Sequence, residues 1–169
     1  MTIIDTPRLR LVAPAASHIP AYTAFHASAR AAERGWQALP HEAWRNFAAI
    51  LGHGLLRGFG PLVAELRADG RPIGIFGPWH PEGQPENEIK WTVWSGADEG
   101  RGFAAEATRA LLAQAFGPMG WQTAVSYIRA DNQRSAILAR HLGARHDGIW
   151  TTPRGSEVQV WRHRPGGAA

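Results

Sequence analysis

The sequence predicts an α/β (α+β) fold in which a single mixed, mostly antiparallel sheet carries helices on both faces. Alternating or β-branched segments stand on both sides of longer Ala- and Leu-rich segments, and the predicted order of elements is β-α-α-β-β-β-α-β-α-β-β. Antiparallel hairpins therefore precede one β-α-β-α segment, which is the pattern of one mixed sheet. No repeat or linker interrupts the chain, so residues 1–169 are predicted to form a single domain.

The first part of the chain predicts one strand and two helices. Residues 6–12 alternate polar and apolar side chains, as a half-buried strand does. Residues 16–34 are Ala-rich and carry large apolar side chains at helical spacing, so a helix is predicted there. Residues 41–55 predict a second helix, because three large apolar side chains recur along one side.

A change of period marks the middle of the chain as strand-rich. Residues 62–67 and 72–77 predict two strands on either side of Asp69-Gly70, a dipeptide typical of tight hairpin turns. Residues 86–94 form a third strand-like segment, which completes a set of three strands.

The last part of the chain begins with a strongly predicted helix. Residues 104–116 are dominated by good helix formers and contain no proline. The remaining predicted elements are a strand at 121–129, a helix from Asp131 or Asn132 to near Leu142-Gly143, closing strands at 148–152 and 157–161, and a frayed tail at 164–169.

Composition excludes several classes of protein. Hydrophobic residues make up 44% and charged residues 19%, and no apolar segment approaches the roughly 20 residues that span a bilayer. The first residues lack the pattern of a secretory signal, so a cytoplasmic protein without membrane partners is expected. The complete absence of cysteine excludes a disulfide framework, a thiolate nucleophile and cysteine-ligated metal. The net charge of +4 comes from scattered arginines, which favours compositional bias over a nucleic-acid surface.

Two glycines directly before the helix at 104–116 predict an anion-binding site. A turn containing Gly100 and Gly102 leaves the first backbone N–H groups of that helix unpaired, and the helix dipole adds partial positive charge there. Phosphate or pyrophosphate suits such a site. A nucleoside-triphosphate loop is excluded, because Phe103-Ala104 stands where Lys and Ser or Thr are required. A dinucleotide turn fits by spacing, but the preceding hairpins leave no parallel array.

Four stretches of the chain resemble one known family. They are residues 6–11, residues 88–93, residues 100–107, and residues 132–135 with Leu142-Gly143. Together they resemble the GNAT superfamily of acetyl-CoA-dependent N-acetyltransferases, and within it the branch that includes ribosomal-protein N-terminal acetyltransferases. The four stretches span almost the whole chain in the family's order.

The resemblance implies where acetyl-CoA binds as co-substrate, without a metal. Its pyrophosphate would contact backbone amides at the glycine turn, supported by the Arg101 cation, and its pantetheine arm would bond the strand that ends near Trp94. Asn132 would contact the pantetheine region and Ser135 would lie near the thioester sulfur. The implied cofactor-binding residues are Trp91, Thr92, Val93, Trp94, Glu99, Gly100, Arg101, Gly102, Phe103, Ala104, Asn132 and Ser135.

The chemistry of acetyl transfer sets the requirements for catalytic residues. An attacking amine must be neutral, so a carboxylate or histidine has to accept its proton, and the departing thiolate needs a proton source. Glu88 is the predicted base and Ser135 the predicted donor to sulfur; a solvated strand carboxylate and an ordinary first-turn serine are the alternatives. Glu86 is predicted on the same strand face as Glu88 and is assigned to the acceptor.

Three positions depart from the family pattern. Ala97 stands where many members carry Arg or Gln, which implies one phosphate contact fewer. Phe103 replaces a more common tyrosine and retains the packing role. Ala139 stands where many members carry a proton-donating tyrosine, and this leaves the acid to Ser135 or to water, with Tyr127 as a less favoured substitute.

The remaining chemistry-bearing residues concern the acceptor. The histidines show no metal-ligand spacing. Most tryptophans fit core positions, but Trp36, Trp44 and Trp79 fall in segments that border the acceptor groove by resemblance, and Trp36 and Trp79 are predicted to bind the acceptor.

The expected function is direct acetyl transfer from acetyl-CoA to a primary amine, either a protein α-amino group or a small amine or amino-acid analogue. A non-catalytic acyl-CoA-binding module on the same fold is the alternative. A monomer or homodimer that does not bind nucleic acid is expected.

Overall fold

The computed structural model describes residues 3–167. Its strands are β1 (Ile4–Asp5), β2 (Leu9–Val12), β3 (Leu62–Leu66), β4 (Pro72–Trp79), β5 (Glu88–Val93), β6 (Ala124–Ile128), β7 (Arg145–Thr151) and β8 (Glu157–His163). Its α-helices are α1 (Ile19–His26), α2 (Ala29–Glu33), α3 (Pro40–Arg57), α4 (Phe103–Phe116) and α5 (Gln133–His141).

The strands form one sheet in the order β1-β2-β3-β4-β5-β6-β8-β7. Every neighbouring pair is antiparallel except β5 and β6, which run parallel and pair in register at Glu88 and Val125. The predicted mixed, mostly antiparallel sheet is therefore confirmed. The one parallel pair lies near the centre of the sheet, and α4 connects its two strands along the chain.

Helices cover both faces because the strand side chains alternate. Val63 and Ile75 point into a cluster with residues of α1 and α3, whereas Ala64 and Phe76 point into a cluster with residues of α4. On this second face, α5 packs beside α4 through a cluster that includes Leu142. The sheet thus separates α1 and α3 from α4 and α5.

The predicted helix at 16–34 is wrong as one element. It divides into a 3₁₀ turn, α1 and α2, because Ser28 starts a new helix: its Oγ accepts the Ala31 N–H and donates to the Phe25 carbonyl at 2.5 Å. A side chain that bonds its own backbone in this way competes with a continuous helix. After the break, Ala31 of α2 packs in the same cluster as residues of α1 and α3.

The closing hairpin is longer than predicted. The strand predicted at 148–152 begins at Arg145, because β7 pairs with β8 from Arg145 onward and accommodates an irregularity between His146 and Ile149. In the predicted tail, residues 164–167 form a turn closed by a bond from the Gly167 N–H to the Arg164 carbonyl. Residues 168 and 169 lie outside the described part of the chain.

Candidate active site

The first turn of α4 presents free backbone donors to a cleft. Gly102 is the N-cap residue with a φ of +80°, and Gly100 has a φ of +70°, both in the left-handed region that glycine adopts without strain. Phe103 and Ala104 begin the helix, so their N–H groups have no acceptor within it. Gly100, Gly102 and Ala104 line a cavity of about 760 Å³. This geometry is that of an anion-binding helix terminus.

Residues near the amino terminus form hydrogen bonds with α4 and with the turn that precedes it. Glu106 of α4 accepts hydrogen bonds from the Thr6 hydroxyl at 2.7 Å, from the Arg8 N–H at 2.8 Å and from Arg8 Nε at 2.7 Å. Arg8 Nη1 also donates to the Arg101 carbonyl at 2.8 Å. Burial acts to raise the pKa of Glu106, but these donors outweigh it and lower the pKa. Glu106 therefore stays ionised near the positive end of the helix dipole.

Arg101 lies beside the turn with its guanidinium over the Phe103 ring, 4.9 Å from the centroid. It also approaches Asp98 at 3.7 Å, and Asp98 is held by two bonds of 2.8 Å from Arg71. The Arg101 side chain is more than half exposed and is absent from the residues that line the cavity. The cationic support predicted for Arg101 would therefore require this side chain to turn inward.

Three other arginines supply positive charge in the cavity. Arg30 Nη2 contacts the Glu99 carboxylate at 2.5 Å, Arg34 contacts it at 3.4 Å, and Arg134 also pairs with it. All four side chains belong to residues that line the cavity. Sequence reasoning missed these arginines, because α2 and α5 bring them together from positions about 100 residues apart and no motif links them.

The opening between β5 and β6 joins two cavities. The strands are parallel, and past Glu88 and Val125 no further register pair is formed between them. A second cavity of about 670 Å³ lies on the other side of the opening. Residues that line both cavities are Trp36, Trp91, Thr92 and Ser135.

Ser135 lies at the meeting point of the two cavities. Its Oγ accepts a hydrogen bond of 3.2 Å from Trp91 Nε1, and its N–H donates to Asn132 Oδ1 at 3.2 Å. Asn132 is therefore the N-cap residue of α5, and it also lines the second cavity. Four of the residues predicted to bind the cofactor therefore lie together at the opening: Trp91, Thr92, Asn132 and Ser135.

Two of the predicted cofactor contacts, at the end of β5 and just after it, already have partners within the protein. Trp94 lies buried in the cluster with α1 and α3, and its N–H donates to the Ile73 carbonyl at 2.9 Å. The Val93 carbonyl accepts Arg30 Nε at 3.1 Å. Thr92 and Trp91 are the positions on this strand that face the opening.

Glu88 faces the second cavity from the start of β5. Its side chain packs among protein atoms, and this desolvation raises the pKa of the carboxyl; Lys90, Gln84 and the Tyr127 N–H act in the opposite direction. A carboxyl with a raised pKa in a cavity has the properties of a general base.

Glu86 does not share the position of Glu88, so the prediction of a common strand face is wrong. The residue lies in a bend before β5, where the period of two does not apply. Arg162 of β8 binds its carboxylate with bonds of 2.6 and 2.9 Å and lowers its pKa. Glu86 is absent from the residues that line either cavity.

The predicted acceptor tryptophans have different environments. Trp36 is 39% exposed and forms part of both cavity walls. Trp79 stacks on His53 at 4.3 Å and lies under the Lys90 ammonium at 4.7 Å, outside both walls. Four more aromatic residues complete the second cavity: Tyr127, which sequence analysis gave as a less favoured acid, and Tyr22, Phe25 and Trp150, which it did not assign to the site.

Two further properties concern residues 3–167 only. No helix among them is long and apolar enough to cross a membrane. Within the same residues, no three His, Asp or Glu side chains come together as a metal site would require.

Comparison with known proteins identifies the family. The model of the acetyltransferase (GNAT) domain matches residues 8–145. The chain belongs to the GNAT acetyltransferase family. A crystal structure of an acetyltransferase from Agrobacterium tumefaciens str. C58 is 34% identical, with a TM-score of 0.86 over 97% of this chain and 95% of that one. A search of the curated protein sequences finds no match.

More distant GNAT structures share the fold. The RimL ribosomal L7/L12 alpha-N-protein acetyltransferase in complex with coenzyme A is 17% identical, with a TM-score of 0.77 over 96% of this chain and 98% of that one. An aminoglycoside acetyltransferase in complex with coenzyme A and kanamycin is also 17% identical, with a TM-score of 0.76 over 95% of each chain. The protein is therefore an acetyl-CoA-dependent acetyltransferase of the GNAT family.

Proposed function

We propose that this GNAT enzyme transfers the acetyl group of acetyl-CoA directly to the nitrogen of a primary amine. The observation that carries the proposal is the opening between β5 and β6, which joins a cavity with anion-binding donors to a cavity that contains Glu88. A thioester on one side and an amine on the other would meet at Ser135. The absence of cysteine supports direct transfer, because no thiol is present to form an acyl-enzyme.

In this proposal the cofactor phosphates bind at the first turn of α4. The amides near Gly100, Gly102, Phe103 and Ala104 would hold the pyrophosphate, and the arginines around Glu99 would balance its charge. The pantetheine arm would follow Trp91 and Thr92 through the opening. Glycine at 102 supports this assignment, since a side chain there would crowd the donors.

The chemical step requires a proton acceptor and a proton donor. Glu88 takes a proton from the ammonium, directly or through water, and the neutral amine attacks the thioester carbonyl. The new C–N bond forms as the C–S bond breaks. The nitrogen then releases its second proton, which replaces the proton that the thiolate receives from its donor. Ser135 is the proposed donor to the sulfur, because its hydroxyl lies where the two cavities meet and already has a hydrogen-bonding partner in Trp91.

The acceptor is either a protein α-amino group or a small amine. RimL acts on a ribosomal protein and the aminoglycoside enzyme was solved with kanamycin, so the shared fold serves both classes. The aromatic lining of the second cavity and its one half-buried carboxylate favour an amine with an apolar or flat portion.

A thiol-release assay over a panel of peptides and small amines tests the proposal. We expect turnover with at least one primary amine, lost in Glu88→Gln while calorimetric affinity for acetyl-CoA is retained. Arg45→Gln provides a control, because this side chain is exposed and lines neither cavity. Binding of acetyl-CoA with no release of thiol on any amine would contradict it.

A further inference from the structure

The opening of the sheet begins at one carbonyl group. The Val125 N–H donates to the Asn87 carbonyl at 2.9 Å, as a parallel ladder requires. The next bond of such a ladder would run from the Tyr127 N–H to the Ile89 carbonyl. That carbonyl accepts the Ser126 hydroxyl at 2.6 Å, and the pairing of β5 with β6 forms no register pair beyond Glu88 and Val125.

His163 of β8 fixes the serine in this role. Its Nε2 lies 3.0 Å from Ser126 Oγ, and both side chains are buried, with exposed fractions of 1% and 2%. Ser126 uses its only proton for Ile89, so it accepts from His163, and the imidazole carries its proton on Nε2. Burial lowers the pKa of His163 to about 4, which keeps the ring neutral at physiological pH.

The backbone beside the opening also influences Glu88. Tyr127 and Glu88 line the same cavity, and the Tyr127 N–H favours the ionised form of the Glu88 carboxyl. Lys90 is the charged group that faces Glu88 from its own strand. From β6 the Tyr127 phenol faces it, and that phenol is in turn near Glu86 and Arg162.

We propose that Ser126 and His163 are a positioning pair: they occupy the Ile89 carbonyl, hold β5 and β6 apart, and direct the Tyr127 N–H to Glu88. The inference rests on the proposed role of Glu88 as the base. Neither residue is a catalytic residue, because each acts through the backbone of β5 and β6.

Ser126→Ala tests the pair. Without the hydroxyl, the Tyr127 N–H pairs with Ile89 and leaves Glu88. Hydrogen exchange of the Tyr127 amide then slows by about tenfold or more as it joins the ladder. The acid limb of the kcat profile moves upward by about one pH unit, because the carboxylate loses a hydrogen bond.

Two further variants complete the test. Thr108→Val removes another fully buried hydroxyl, on α4 away from both cavities, and leaves exchange at Tyr127 and the pH profile at wild-type values. Ser126→Thr keeps the hydroxyl and restores the wild-type acid limb. If Ser126→Ala does not fold, Ser126→Cys takes its place, since a thiol is a weaker donor of similar size.

Wild-type exchange at Tyr127 and an unmoved acid limb in a folded Ser126→Ala protein would overturn the proposal. Hydrogen exchange of the Tyr127 amide reports on the backbone and does not depend on the acetyl-transfer reaction. If Glu88→Gln turns over normally, the proposed base is wrong, yet slowed exchange at Tyr127 in Ser126→Ala still shows that the pair holds the strands apart.

Discussion

Replacement of Gly102 by valine separates the binding role of the glycine turn from its effect on stability. The backbone at Gly102 has a φ of +80°, where a side chain costs about 1–2 kcal/mol. A Cβ there would also lie 3.3 Å from Arg8 Nη2, and the flexible guanidinium can move to relieve this contact. The unfolding free energy is therefore expected to fall by about 1–2 kcal/mol. Each kcal/mol lost lowers Tm by roughly 2–4 °C in a protein of this size.

The cofactor is expected to suffer more than the fold. Gly102 lines the cavity and precedes the first turn of α4, so a valine there should distort the turn that presents the donors; calorimetric affinity for coenzyme A should fall by about tenfold or more, the loss of one charge-assisted hydrogen bond. Gly120→Val is the matched control, because Gly120 has a φ of +67°, has no atom near its added Cβ and lies outside the cleft. It should show the same loss of stability with wild-type affinity.

Either of two results would refute this reasoning. Wild-type affinity in Gly102→Val would mean that the phosphates bind elsewhere. An equal loss of affinity in Gly120→Val would mean that general destabilisation, not the loss of donors, explains the binding defect.

Five further predictions concern the cleft and the loop before it. Glu88→Gln should lower kcat by about 100-fold or more with little change in the KM for acetyl-CoA, measured by thiol release. The wild-type rate should rise with pH through a pKa above the usual glutamate range, because burial raises the pKa of Glu88; an acid limb at ordinary glutamate values would contradict this. Ser135→Ala should lower kcat by about tenfold or more, and an unchanged rate would leave the proton to water. Trp36→Ala should raise the acceptor KM, and an unchanged value would remove this residue from the acceptor wall. Asp98→Asn should lower the unfolding free energy by about 1–3 kcal/mol at pH 7, measured by urea denaturation, because it removes the carboxylate that Arg71 binds. Arg71 lowers the pKa of Asp98, so this contribution is present above the unfolded pKa of about 3.9 and is lost as pH falls through the lower folded pKa; the two proteins should converge in stability there.

The fold followed from local patterns wherever those patterns agree with the tertiary contacts. The hairpin at Asp69-Gly70 and the helix after Gly102 were predictable, because turn chemistry and helix propensity act over a few residues. The break at Ser28 was not, because its cap depends on one hydroxyl within an otherwise helical segment. The start of β7 at Arg145 depends on its pairing with β8, which no local signal encodes.

The site was predictable in its backbone and less so in its side chains. Glycines at 100 and 102 predict an anion-binding turn by themselves, but the arginines around Glu99 come from two separate segments, α2 with its C-cap and α5. The pairing of Glu86 with Arg162 is likewise a contact across 76 residues, which the spacing from Glu88 cannot reveal. Long-range ion pairs decide which charges reach the cleft, and one sequence does not contain that information.

The contacts of Thr6 and Arg8 with Glu106 have a practical consequence. These bonds join residues 98 to 100 positions apart, so the beginning of the described chain holds the start of α4 and the glycine turn before it in place. A fusion partner joined immediately ahead of Thr6 would strain these hydrogen bonds and change the measured affinity for coenzyme A without touching the cleft. Variants should therefore be compared only in proteins that carry identical leading extensions.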